Sequence, residues 1–469
     1  MNGRQWLGAG LRLAALTAAT LALTAAPASR AQAASLRVMG MKRISSHTPF
    51  PGPCARDSPI VNVGAEVEPY LAADPRNPRR LAVAWMQDSG RSNLVVSSGD
   101  GGRTWTRALV PGLSQCTGGV EPIASDPWLS FGAGRALYLG SVVGTVPETT
   151  QPTTGMVASR SLDGGRSWRV PRFVQPVDGR FWDKPTITAD PRRAGRAYLV
   201  FDQRTGADAI AGLSYVSRTD DGGRTWSPRH VVLDSHSADS VPASNILSVL
   251  GNGTLLNVGL LWGTSGQVKF LAQRSRDRGV TWSAPREIGA APNRQPVSAT
   301  GTEVNAFPLP STAVGPNGTV YVVWADLESR AASSVRIARS RDGGRSWSRP
   351  RTVARVAGQA FVPGVAVAGD GTVGVLYYGA RRDDPVDPRW ATDVLFSYAP
   401  DGWRRWQTKR VAGPFDLNTA ERDGGQLFLG DYEGLAGLPH GFAAAFAQAR
   451  PRATEGYSDI FFARLRVRR

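Results

Sequence analysis

With 41% hydrophobic and 20% charged residues over 469 positions, the chain is too apolar to be disordered and long enough to bury a sizeable core. Two cysteines and four scattered histidines (His47, His230, His236, His440) offer no metal-ligand spacing, so neither a metal nor a cofactor is expected. The net charge of +17 is dispersed through turns, apart from the terminal RLRVRR, which argues against nucleic acid as a partner.

In chain order, the first 33 residues read as a secretory signal peptide. Arg4 and Arg12 precede the apolar run LAALTAATLALTAA (13–26), and Ala31-Gln32-Ala33 fits a small-x-small cleavage site. The run is too short for a secure membrane span and no later run approaches that length, so a secreted protein is expected; it is read as a monomer. SLRVMGMKRI (35–44) reads as a strand. Cys54 follows in a Pro/Gly-rich approach, and Cys116 lies in the loop before the second structural unit. Both loops enter adjacent units at the same end, so a Cys54–Cys116 disulfide is expected in an oxidising compartment.

Two patterns then alternate to the end of the chain. One is a hairpin of two β-rich runs joined by a Gly, Asn or Asp turn, at 69–85, 127–140, 185–201, 245–262, 310–324, 363–378 and 429–446. The other is an eight-residue phrase: SGDGGRTW (98–105), SLDGGRSW (161–168), TDDGGRTW (219–226), SRDRGVTW (275–282) and SRDGGRSW (340–347). A degenerate copy, SYAPDGWRRW, spans 397–406. Asp beside Gly is a tight-turn signal, because Gly reaches positive φ cheaply and the carboxylate accepts backbone N–H groups. The Trp then plugs the space between neighbouring sheets. Asp100, Asp163, Asp221, Asp277 and Asp342 therefore read as structural. A fixed phrase recurring near every 60 residues means a repeat architecture.

The phrase resembles the Asp-box, or bacterial neuraminidase repeat, of the sialidase-like β-propellers. That resemblance implies an all-β propeller of four-stranded antiparallel blades over 34–469, with the boxes on the face away from the active site. Seven hairpins favour seven blades, with the six of true sialidases as the alternative. One strand, SDIFFARLRV (458–467), is left over, and the strand at 35–44 is expected to pair with it and close the ring. Sialidase activity requires an Arg-Ile-Pro near the first blade, where this chain reads Val67-Glu68-Pro69-Tyr70. An acid there repels a sugar carboxylate.

The residues flanking the first two strands of each unit gather at one mouth of the channel. Glu68, Asp126, Asp183, Asp431 and Tyr432 are the candidates for catalysis, as acid, base or nucleophile on a glycoside. Arg204, Arg381, Arg382 and Arg450 are the candidates for ligand binding. Asp183 leads for acid/base work, because Trp182 beside it would desolvate the carboxylate, while Lys184 would act in the opposite sense. The acid of Glu68-Pro69 or Asp126-Pro127 has a bland alternative as a backbone cap at strand entry. The expected function is a secreted sialidase-like glycoside hydrolase acting on a carbohydrate other than sialic acid, with an anionic glycan among the possible partners. The alternative is a non-catalytic glycan- or protein-binding propeller, or an envelope scaffold.

Overall fold

The computed structural model describes residues 35–468 except 53, 55–61, 146–151, 206–210, 236–239, 264–265, 382–388 and 451–456. The expected signal peptide and Arg382 lie outside the described residues. The described chain is β-structure with four short 3-10 turns. No described helix is long and apolar enough to cross a membrane.

Each expected hairpin forms, and the strand after it extends the sheet. The first sheet pairs Glu66–Ala73, Leu81–Gln87, Ser92–Ser98 and Thr106–Leu109 in antiparallel order. The second comprises Ile123–Phe131, Leu137–Thr145, Thr153–Ser161 and Arg172–Gln175. The third comprises Phe181–Ala189, Ala197–Thr205, Ala211–Thr219 and His230–Asp234. The fourth comprises Ser240–Val249, Leu255–Gly263, Gln267–Ser275 and Arg286–Pro292. In the last sheet Gly434–Leu438, Gly441–Ala449 and Ser458–Arg468 are joined by the N-terminal strand Ser35–Arg43. Ser35 lies opposite Arg468 and Arg43 opposite Phe461, so the start of the chain covers the edge that its end would expose.

The expected count of seven separate four-stranded blades does not hold, nor does six. Five sheets have four strands, and the two remaining hairpin units share one seven-stranded sheet. The cause is local. Strand Arg351–Val367 runs 17 residues without a connector, pairing with Ala332–Ser340 up to Ala357 and with Val373–Arg381 from Gly358 onward. Between the first two sheets, by contrast, a Pro- and Gly-bearing loop separates Leu109 from Ile123. First strands of successive hairpins lie side by side, and Gly434–Leu438 lies beside Glu66–Ala73, so the hairpins surround a common axis in a propeller arrangement.

The repeated phrase makes one turn in each copy, between the third and fourth strands. In the first copy, Asp100 accepts the backbone N–H of Arg103 and Thr104 at 2.9 and 3.0 Å, and the Thr104 hydroxyl at 2.6 Å. The Ser98 hydroxyl donates to Asp100 at 2.8 Å and accepts from Gly102 N. Equivalent bonds form at Asp163, Asp221, Asp277 and Asp342. These bonds hold Asp163, Asp221 and Asp342 at about 2, below the usual carboxylate range, against the opposing effect of desolvation. Gly102 has φ +85°, and a Cβ there would stand 2.3 Å from the Phe462 ring of the last sheet. The turn thus seals the junction between two sheets.

Cys54 and Cys116 form a disulfide with a Cα separation of 4.9 Å across 62 residues. It ties the entry segment to the loop between the first two sheets. Replacing both cysteines by serine is expected to lower stability by about 3–4 kcal/mol through loop entropy, read from urea denaturation. An unchanged midpoint would mean that neighbouring contacts already fix this loop.

Candidate active site

The site begins with a repeated irregularity in the first strand of five units. Pairing slips between Val67 and Tyr70, Ser125 and Trp128, Asp183 and Thr186, Ala243 and Ile246, and Phe361 and Gly364. At each slip one non-glycine residue is left-handed: Glu68 (φ 58°), Asp126 (50°), Lys184 (52°), Ser244 (51°) and Val362 (49°). Four of the five precede proline, which has no N–H to give to the ladder. Such a conformation costs on the order of 1–3 kcal/mol per residue and re-aims the side chain. Glu68, Asp126, Lys184 and Ser244 line a cavity of about 730 Å³, and Val362 lines a narrower one of about 110 Å³ beside it. The acid-Pro pairs that sequence reading placed at strand entry are bulges within the strand, and the acids face the axis.

Six acids and three cations line the larger cavity: Glu68, Asp126, Asp183, Glu421, Asp423 and Asp431 against Lys184, Arg204 and Arg422. The Lys184 ammonium donates to Asp431 and lies 3.7 Å from Asp126. The ammonium is thus shared between the two carboxylates. Arg204 reaches Asp183 at 3.5 Å. Gly430 brings the neighbouring segment close, since a Cβ there would be 2.6 Å from Glu68 N, and Asp431 N donates to Glu68 Oε1 at 3.4 Å.

Burial, reinforced by Asp126, pushes the Glu68 carboxyl well above its ordinary value and outweighs the opposing charge of Lys184. Asp126 is raised by burial as well. Burial alone would lower Lys184, but Asp183, Asp126 and Glu68 outweigh it and hold the ammonium charged. The cavity therefore sets an acid that favours its proton beside carboxylates paired with fixed cations.

The other sequence candidates divide. Trp182 turns away from Asp183, packs against Phe201 and Tyr215, and gives its indole N–H to Asp178 at 2.8 Å. The desolvation argument for Asp183 therefore fails, because successive strand residues face opposite sides. Tyr432 lines only the narrow cavity. Its hydroxyl donates to the Pro127 carbonyl at 2.9 Å, and burial raises its phenol far above normal. It packs edge-on to Tyr70 and Trp128. Arg381 is paired with Asp393 at 2.8 Å and Arg450 with Asp459 at 2.7 Å, and neither lines the cavity. Sequence reading missed Ser244, Glu421, Arg422 and Asp423. The last three sit on a hairpin, Glu421–Asp423 with Gln426–Phe428, that carries no repeat signal. The position of Ser244 was findable by aligning it with Glu68, Asp126 and Lys184.

Burial raises Glu66 to about 8, and Asp202 and Glu421 to about 7. A carboxyl raised on folding contributes stability that is complete below its unfolded value and is lost as pH rises through the folded one. The turn carboxylates near 2 act oppositely and lose their contribution as pH falls. Tm is therefore expected to peak near pH 4–5 and fall toward pH 8, with a shallower fall in Glu66→Gln. A Tm that rises from pH 5 to 8 would contradict these assignments.

No family model matches the chain. A xyloglucanase from a Paenibacillus species is 26% identical over 311 residues, which cover 60% of this chain and 26% of the xyloglucanase. The chain thus spans about a quarter of that relative's length. A Hadza microbial sialidase of known structure is 17% identical, with a TM-score of 0.47 over 82% of this chain and 73% of that one. The GH93 α-L-arabinofuranosidase of Fusarium graminearum is 15% identical, with a TM-score of 0.46 over 73% of this chain and 95% of that one. At these scores the structural likenesses carry no argument about the site.

Proposed function

We propose that the chain is an exported glycoside hydrolase acting on a neutral glycan at the axial cavity. The supporting observation is the convergence of Glu68, Asp126, Asp183 and Asp431, from four different sheets or connectors, on one cavity of about 730 Å³. Its size suits a small ligand. In this reading Glu68 is the general acid, since its surroundings favour the protonated form, and gives its proton to the leaving glycosidic oxygen. Asp183, oriented by Arg204, is the carboxylate partner acting as base or nucleophile. Lys184 fixes Asp126 and Asp431 around the sugar.

The repeated phrase, by its resemblance to the Asp-box, supports the same class, as does the partial similarity to a xyloglucanase. The expectation of an anionic glycan gives way to a neutral one, because acids outnumber cations on the cavity wall two to one. The leader sequence and the disulfide fit an extracellular site.

A glycan-binding protein without catalysis is the second reading, supported by the pairing of Asp126 and Asp431 with Lys184 and of Asp183 with Arg204. A screen of chromogenic arabinosides, xylosides, glucosides and sialosides separates the two. Turnover of a neutral glycoside is the expected result. Turnover of sialosides alone would overturn the neutral substrate, and saturable sugar binding without any turnover would establish the second reading.

A further inference from the structure

We propose that the site continues past the axial cavity into an adjoining one, so that together they hold a neutral oligosaccharide of at least two sugar units. This rests on the glycan reading above. The second cavity, of about 450 Å³, is lined by Asn293, Arg294, Gln295, Glu303, Phe307 and Arg330 among others. Asn293 and Phe307 also line the first cavity, so the two share a wall.

Three features of that wall fit a sugar chain. The Phe307 ring lies 4.4 Å from the Trp262 ring, and both are half-buried, leaving an apolar surface at the junction. A sugar ring presents one face of C–H groups to such a surface and its hydroxyls to the rim. The Asn293 side-chain oxygen is buried without a hydrogen-bond partner, while the Asn293 backbone N–H is already given to Gly266 at 2.9 Å. A buried acceptor left empty at a junction between cavities is suited to a ligand hydroxyl. The connector carrying these residues is held in place beforehand. Asn305 N donates to Leu427 O at 2.8 Å, Leu427 N to Glu303 O at 2.9 Å, and Arg294 to Glu328 O at 2.9 Å. Ordering cost on binding is correspondingly small.

The test measures binding and turnover of neutral xylo-, cello- and arabino-oligosaccharides of one to six units. Wild-type protein is expected to bind chains of two or more units at least tenfold more tightly than the single sugar, by titration calorimetry. Asn293→Ala and Arg330→Ala are each expected to lower that preference for length by roughly tenfold, the loss of one hydrogen bond. Phe307→Leu serves as a second probe of the wall should Asn293→Ala misfold. Equal affinity for one and several units, or variants that weaken all lengths alike, would overturn the second cavity while leaving the hydrolase reading intact. Length-dependent binding without turnover would overturn the hydrolase reading and support the extended site. No binding of any saccharide would overturn both.

Discussion

Asp183→Asn is expected to lower kcat/KM on the glycoside identified by the screen by roughly 10²–10⁴-fold, the usual worth of one acid–base group. Asp183 lines the cavity, and its carboxylate lies 3.5 Å from Arg204. Asparagine keeps the shape, and its oxygen can still accept the Lys184 backbone N–H that bonds Asp183 at 2.8 Å. Only the charge is lost, so Tm should fall by no more than a few degrees. Asp431→Asn should behave likewise, because it removes one of the two carboxylates that hold Lys184. Asp342→Asn is the contrast. Asp342 accepts from Arg345 N at 3.0 Å and Ser346 N at 2.9 Å in an exposed turn at the far end of its sheet. It should cost stability and leave kcat/KM unchanged. Loss of activity in Asp342→Asn without unfolding, together with full activity in Asp183→Asn, would move the site to the other face.

Trp168→Ala is expected to destabilise by about 3–5 kcal/mol, measured by urea denaturation. Trp168 is 7% exposed and packs in one cluster with Ala84, Val95 and Ala108 of the first sheet and Leu137 and Val157 of the second. It closes the gap between two sheets that share no hydrogen-bonded strand. Its indole N–H donates to Gly165 O at 3.2 Å, so truncation also frees a carbonyl in the turn. Two sheets on either side of a rigid turn cannot easily collapse into the space, which sets the cost at the upper end for a buried aromatic. A loss below about 1 kcal/mol would mean that the tryptophans of the phrase do not join the sheets.

The sequence by itself determined the elements whose causes are local. The seven hairpins follow from β-rich runs and turn residues. The structural role of Asp100 and its four counterparts follows from Asp-Gly turn chemistry, and each makes the expected bonds. The closing strand at Ser35–Arg43 and the Cys54–Cys116 bond were legible because an unpaired edge and a cysteine each need one partner. Tertiary structure decided the rest. Whether Arg351–Val367 breaks into two strands depends on how neighbouring sheets draw it, and it stays continuous. Among the acids near the mouth, the left-handed bulges at Glu68, Asp126 and Lys184 decide which side chains reach the axis, and bulge placement depends on pairing register. Arg381 and Arg450 looked equivalent to Arg204 in sequence, but Asp393 and Asp459 hold them away from the cavity. Glu421, Arg422 and Asp423 belong to a connector that lies outside the repeat pattern and is carried to the cavity wall by its contact with another connector, through Leu427 and Asn305. A repeat fixes what every unit shares. A site is made of what the units do not share, and its composition follows from which exceptions the fold brings to one place.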